Sequence, residues 1–251
     1  YNDLFEQYKA IADSIKHTHV PNDQIAVIFR NNSSADGIEA CLREVGIPCK
    51  RKGGTSFFDA KEIKFLLDML SLMVNPKDMM AFIHVFEYAS GVGSALSKEF
   101  FQCFMHFGNG SFMQGVLYPQ VHDLPKLNPN KNVQLGLFDD DHEIGSAARF
   151  KHLNLHQDIY AHPLLKHPKI IQDGVKFFKD FYVVMTAVKG EQNPAHILRT
   201  IITSDLYSSI VDMLSTQRGR LKSGELDEEK KKQAKERIER KARLLLDLSK
   251  P

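Results

Sequence analysis

The sequence predicts a mostly α-helical protein with a small α/β portion at its N-terminal end. Three observations carry that prediction. Between residues 22 and 52 a β-prone run, an amphipathic helical pattern and a second short β-prone run follow one another. From residue 59 onward almost every periodic segment has helical spacing, and the least regular stretch, 108–148, is rich in Gly, Pro and Asn and reads as a long loop.

Taken in order, LFEQYKAIADSIK (residues 4–16) repeats Leu4, Phe5, Tyr8, Ile11, Ala12 and Ile15 at helical spacing, and Pro21 ends the element. IAVIFR (25–30) is a continuous β-prone run of the kind found in sheets covered on both faces, and Asn31, Asn32, Ser33 and Ser34 follow as loop and helix N-cap. The next helix carries Ile38, Ala40, Cys41, Leu42 and Val45, with Gly46 where a C-cap belongs. PCKRK (48–52) then returns as a strand. A strand, crossover helix and parallel strand imply a partial parallel sheet whose remaining strands lie in flanking sequence or in another copy. After Gly53-Gly54, helices are expected at 59–74, 78–88, 94–107, about 169–188, 194–203, 205–216 and about 225–248. FFKDFYVVM (177–185) is aromatic at helical spacing and reads as core. The last helix alternates acids and bases around an apolar line through Ile238, Leu245 and Leu248, which suits a solvated helix with one buried stripe. The division predicted is therefore an α/β part at 1–58 and a helical part at 59–251.

A chain of 251 residues with 43% hydrophobic content can bury a core and hold one large domain or two smaller ones. The net charge is only +2, so any nucleic-acid surface must come from local placement of Lys and Arg. Cys41, Cys49 and Cys103 fit neither a disulfide framework nor a zinc ribbon, which favours packed, reduced thiols in a cytoplasmic protein. No apolar run approaches the roughly 18 residues of a membrane span. With no initial Met and no basic, apolar leader, the chain is expected to be a fragment of a longer polypeptide.

IAVIFRNN, followed after a helix by GIPCKRKGGTSFFDAKEIKFLLDMLSLMVNP, resembles the C-terminal half of UvrD/Rep/PcrA-type superfamily 1 DNA helicases. In that family an LYR-x-N strand end precedes a helix, a GIPY strand, a GG-x-x-FF-x-x-x-EIK segment and a long helix ending in NP. Order and spacing match from Ile25 to Pro76, and GVG at 91–93 looks like the family's GIG turn. The resemblance implies that residues 1–58 are part of the second RecA-like motor domain (2A) and that 59–251 form the inserted helical 2B-type domain. It implies an ATP-dependent 3'-5' helicase that uses ATP and Mg and binds single-stranded and duplex DNA. The sequence has no GxxxxGK[ST] phosphate loop, no acidic metal motif after a strand and no T-x-H-x-x-K-G motif. No catalytic residue is therefore expected in this chain, which needs the missing motor domain of the same polypeptide as its partner and is expected to be inactive alone.

Arg30 and Asn32 stand at a strand end, where a guanidinium and an amide can hold a phosphate and a sugar or base edge without reading sequence. On the residues alone they read rather as an Arg capping a helix C-terminus and an Asn capping a helix N-terminus; the resemblance implies contact with single-stranded DNA. Asp36 occupies a position where the family often has Arg, and an acid there repels phosphate. Gly91, Gly93, Ser94 and Lys98 suit an anion site at a helix start, or a plain connecting turn. The resemblance implies duplex contact, although Ala89 and Ser90 replace the accompanying Pro and Arg. Lys50, Arg51 and Lys52 read as a solvated basic run or a supporting phosphate contact. His152 and His156 share helical spacing but lack the pattern of a zinc site, so no metal is expected. Gln134, Leu135, Leu137 and Phe138, within QLGLF, resemble the bacterial sliding-clamp binding motif; they could equally anchor the loop on the body of the protein. A protein-interaction module docking on the clamp, with little DNA binding, is accordingly the alternative function.

Overall fold

A computed structural model describes residues 3–30, 32–117, 162–166 and 169–250. Its helices are α1 (Leu4–Lys16), α2 (Asn32–Glu44), α3 (Lys61–Val74), α4 (Met79–Phe86), α5 (Ser94–Phe107), α6 (Phe112–Val116), α7 (Gln172–Val188), α8 (Pro194–Ile202), α9 (Asp205–Gly219) and α10 (Glu228–Leu248). No helix among the described residues is long and apolar enough to cross a membrane. The chain divides into two compact units, one of Tyr1–Leu66, Asn193–Ile202 and Ser209–Pro251, the other of Leu67–Gln192 and Thr203–Ser208.

In the first unit, Asp3 caps α1 by accepting from the Glu6 N–H at 2.8 Å, and Lys16 complements the dipole at the other end. Ala12 of α1 and Ile38, Cys41 and Leu42 of α2 form a buried cluster. Val27, Phe29, Ile47 and Cys49 pack on that cluster from the connecting segments, and Leu248 joins it from α10. Asp227 caps α10 through the Lys230 N–H at 3.0 Å, and Ala234, Ile238, Ala242 and Leu245 form its buried stripe. A close approach prepares this helix: a Cβ on buried Gly219 would lie 2.9 Å from Lys231 Cβ.

The predicted sheet is the main correction. Among the described residues 25–30 and 47–52 belong to no β-ladder, and the sole bridge outside named strands joins Arg220 to Leu226. Burial nevertheless alternates with period two along both segments. Val27, Phe29, Ile47, Cys49 and Arg51 are half-buried while Ala26, Ile28, Pro48, Lys50 and Lys52 are exposed, Ile28 at 94%. Side chains therefore occupy one covered face and one open face, as in a half-buried strand, but among the described residues no neighbouring strand completes the hydrogen bonding. The apolar run IAVIFR is thus covered on one side, not two.

The second unit is built on aromatic packing. Phe82 and Phe86 stack within α4 at 4.1 Å between centroids, and Phe86 meets Phe178 and Phe181 of α7 edge-on at 4.9 Å each. Phe177, Phe178, Phe181, Tyr182, Val184 and Met185 are all buried, as the aromatic spacing of 177–185 predicted. Part of the predicted loop is also corrected: within 108–117 the chain forms α6, capped by Ser111. Gly115 lets α6 touch α5, since a Cβ there would lie 1.7 Å from the Phe104 carbonyl oxygen. Fully buried His162 pins the returning chain to this corner. Its Nε2–H donates to the Gly115 carbonyl at 2.8 Å while Nδ1 accepts from the Leu164 N–H at 3.1 Å, so the ring is held as one neutral tautomer. Burial accordingly pushes its pKa down to about 3, against the raising influence of the Gly115 carbonyl.

Candidate nucleic-acid interface

Arg30 closes the alternating segment on the phase of Ala26 and Ile28, the phase turned away from the α1–α2 cluster, and is exposed. Asn32 opens α2 and is likewise exposed. Its backbone carbonyl accepts from Arg51 Nη2 at 3.2 Å. These two candidates are therefore both exposed, two residues apart, where the alternating segment meets the start of α2.

Arg51 is a structural hub rather than part of a solvated run. Its side chain is 11% exposed; Nη1 bonds Asp36 Oδ1 at 2.6 Å and the Thr55 carbonyl at 3.0 Å, and lies 3.8 Å from Glu39 Oε2. Lys50 and Lys52 remain exposed on either side. Asp36 is buried and paired with Arg51, and Lys241 lies 3.8 Å from its other oxygen, so this acid does not present a bare charge to a phosphate. Glu39 is likewise committed internally, accepting from the Ser56 hydroxyl and from the Phe57 N–H at 3.1 Å.

Glu62, at the start of α3, forms the centre of a second network. Its side chain is 1% exposed and accepts from Arg218 Nη1 at 3.2 Å and Nη2 at 2.5 Å, with Lys241 Nζ at 3.6 Å. Burial pushes this carboxyl up, but the Arg218 hydrogen bonds, its own backbone N–H and the charges of Arg218 and Lys241 outweigh it and hold the pKa below the ordinary value. Lys241 reaches both acids and so joins the two networks.

Between these networks runs a groove of about 1230 Å³, bordered by Asn32, the 51–62 segment, α9 and α10. Seven of its lining side chains are Lys or Arg and three are Asp or Glu, an excess of four positive charges in a chain whose net charge is +2. Among the described residues no aromatic side chain lines it.

The glycine turn lies in the other compact unit. Gly91 takes φ +76, where a Cβ would also lie 3.2 Å from Ile171 Cδ1, and Gly93 precedes α5 as its N-cap. Ser94 and Lys98 are exposed on the first turns of α5, whose Ser97 hydroxyl donates back to the Gly93 carbonyl at 3.0 Å. The structure thus groups Arg30 with Asn32, and Gly91 and Gly93 with Ser94 and Lys98, in separate units.

Gln134, Leu135, Leu137 and Phe138, like His152 and His156, lie outside the described residues. The cysteines are free: Cys41 and Cys103 are buried and Cys49 half-buried, with burial pushing the Cys41 thiol up to about 11 and that of Cys103 to about 12. Sequence reasoning missed the roles of Glu62, Arg218 and Lys241. Glu62 was visible within the EIK motif, but nothing local marks Arg218 as its partner 156 residues away.

Residues 2–113 match the UvrD-like helicase C-terminal domain family. The chain is 36% identical over 93 residues to the ATP-dependent DNA helicase PcrA of Bacillus subtilis (strain 168), a match covering 37% of this chain and 12% of that protein. It is 36% identical over 87 residues to the ATP-dependent DNA helicase Rep of Escherichia coli (strain K12), covering 34% and 13%. It is also 36% identical over 76 residues to the ATP-dependent DNA helicase UvrD1 of Mycobacterium tuberculosis (strain ATCC 25618 / H37Rv), covering 30% and 10%. The chain thus spans about one eighth of the length of the first curated relatives it matches. No solved structure matches it.

Proposed function

From the match of residues 2–113 to the UvrD-like helicase C-terminal domain family we propose that the chain is part of an ATP-dependent 3'-5' DNA helicase. On this reading residues 1–58 contribute to the second motor domain and 59–251 to the regulatory 2B-type domain. Arg30 and Asn32 hold the backbone of single-stranded DNA, and the Gly91–Gly93 turn with Ser94 and Lys98 meets duplex. The observation that carries the proposal is the family match across a segment that leaves Arg30 exposed beside Asn32. A guanidinium there can grip a phosphate irrespective of base, as a motor that steps along any sequence requires.

ATP and Mg belong to the rest of the enzyme, because the residues described do not fit them. The tandem glycine turn Gly53–Gly54 has the positive φ of a phosphate-cradling loop, but the Arg51 guanidinium packs against it: a Cβ on Gly54 would lie 3.2 Å from Arg51 Nη2. The turn is followed directly by Thr55-Ser56-Phe57, with no Lys-Ser or Lys-Thr pair at the spacing of a phosphate loop.

The test is Arg30→Ala in the intact helicase. DNA-stimulated ATP turnover should fall at least about tenfold, one lost charge-assisted phosphate contact, while turnover without DNA stays within about twofold. Equal loss in both would move Arg30 from the DNA to the nucleotide phosphates and remove it from the strand path.

A further inference from the structure

We propose that the groove between the Asn32 end of α2 and α10 carries the backbone of a single-stranded nucleic acid, with Arg237 and Arg240 as its phosphate contacts. This rests on the strand-binding reading above and extends the path onto a helix about 200 residues away in sequence.

The charge in the groove divides into two kinds. Arg51, Arg218 and Lys241 are committed to Asp36 and Glu62, Lys230 lies 3.6 Å from Asp227, and Lys61 is likewise engaged. Arg237 and Arg240 line the same groove, are exposed, and make no ion pair or hydrogen bond among the described residues. Spaced i,i+3 on α10, they fall on one face with Cβ atoms about 5–6 Å apart. The buried stripe Ala234, Ile238 and Ala242 fixes the rotation of the helix that presents them. Two uncommitted guanidiniums held in register on a rigid element are suited to adjacent phosphates.

Size and lining select the ligand. At about 1230 Å³ the groove exceeds the roughly 300–1,000 Å³ of small-molecule pockets, which favours an extended polymer. Among the described residues it has no aromatic side chain to serve as a stacking platform, so a strand would be held there by charge and not by its bases. Asn32, already placed on the strand path, opens onto the same groove, so one continuous surface serves both contacts.

The experiment measures fluorescence anisotropy of a labelled oligo-dT on the 251-residue chain over a salt titration. Two lost phosphate contacts, at about 0.7 each in the slope of log K against log salt, correspond to about 25-fold weaker binding at ~0.1 M salt. R237A/R240A should show that loss together with a slope shallower by about 1.4. K232A/K235A removes the same charge from exposed α10 positions outside the groove and should change affinity less than about threefold. R237K/R240K should keep the slope, because charge is retained. All these positions are exposed, and unchanged circular dichroism confirms folding. Absence of oligo-dT binding, equal losses from the groove pair and the control pair, or displacement by poly-glutamate as readily as by unlabelled dT overturns the proposal. Loss of DNA stimulation in Arg30→Ala with a silent R237A/R240A would retain the helicase reading and remove the groove. The converse would retain the groove and remove Arg30.

Discussion

Removing Arg218 tests whether the Glu62 network holds the first unit together. Glu62 is 1% exposed, whereas Arg218 is 38% and Lys241 19% exposed, so the partners are unequal when one is deleted. Arg218→Ala leaves a carboxylate in the interior with Lys241 at 3.6 Å as its remaining charged partner. Breaking a buried pair in this way costs about 3–5 kcal/mol, and the residual Lys241 contact puts the expected loss near the lower end, about 3 kcal/mol. Glu62→Ala leaves two cations that can rehydrate and should cost less, about 1.5 kcal/mol. Urea unfolding followed by far-ultraviolet circular dichroism reads the difference. At an m-value of about 2 kcal/mol/M, Arg218→Ala lowers the midpoint by about 1.5 M, twice the shift of Glu62→Ala. The pH dependence separates this from simple loss of packing. In the native chain the depressed Glu62 pKa contributes stability that is present above the ordinary carboxylate range and is lost as pH falls through the folded value. Without the Arg218 hydrogen bonds and charge the folded pKa rises relative to the native chain, so the variant's deficit is largest at neutral pH and narrows as pH falls through the variant's folded value towards the depressed native one. A smaller loss for Arg218→Ala than for Glu62→Ala, or a deficit independent of pH, would refute the reasoning.

Other consequences can be measured in each of the two units. His162, with its pKa depressed to about 3, binds its proton in the unfolded chain first, so stability should fall as pH drops from about 6.5 towards 3 at up to about 1.4 kcal/mol per pH unit; His162→Gln should flatten that slope in acid unfolding titrations. Phe86→Ala removes a ring in contact with Phe82, Phe178 and Phe181 and should cost about 3–5 kcal/mol by urea midpoint. Gly115→Ala forces a methyl group against the Phe104 carbonyl and should cost at least about 3 kcal/mol, with faster amide exchange in α5 and α6. Cys49 should react with a maleimide well before Cys41 and Cys103, whose thiols are buried and raised to about 11 and 12.

The helices were legible because their apolar residues recur at 3.6-residue spacing and their caps are local. The pattern of 4–16 becomes α1, and the stripe through Ile238 and Leu245 becomes the buried face of α10. The strands were legible only in part. Alternating burial at 25–30 is a property of one segment, whereas a sheet requires neighbours that the described residues do not supply. The site divides in the same way. Arg30 and Asn32 could be singled out from adjacent letters, but the basic groove arises when α10 folds beside α2, and no window of sequence contains both. Arg51 shows the opposite error. Three consecutive bases suggested a solvated run, and only the fold shows that the middle one turns inward to Asp36.

The open face around Ile28 also bears on how the chain behaves in a test tube. An isoleucine exposed at 94%, on a segment whose main chain pairs with no other strand among the described residues, is a template on which a second molecule can add its own edge. Concentrated preparations should therefore cross-associate through 25–30 and lose monomer with time. Ile28→Lys should keep them monodisperse, because a charge on that face opposes edge-to-edge growth without touching the cluster beneath it.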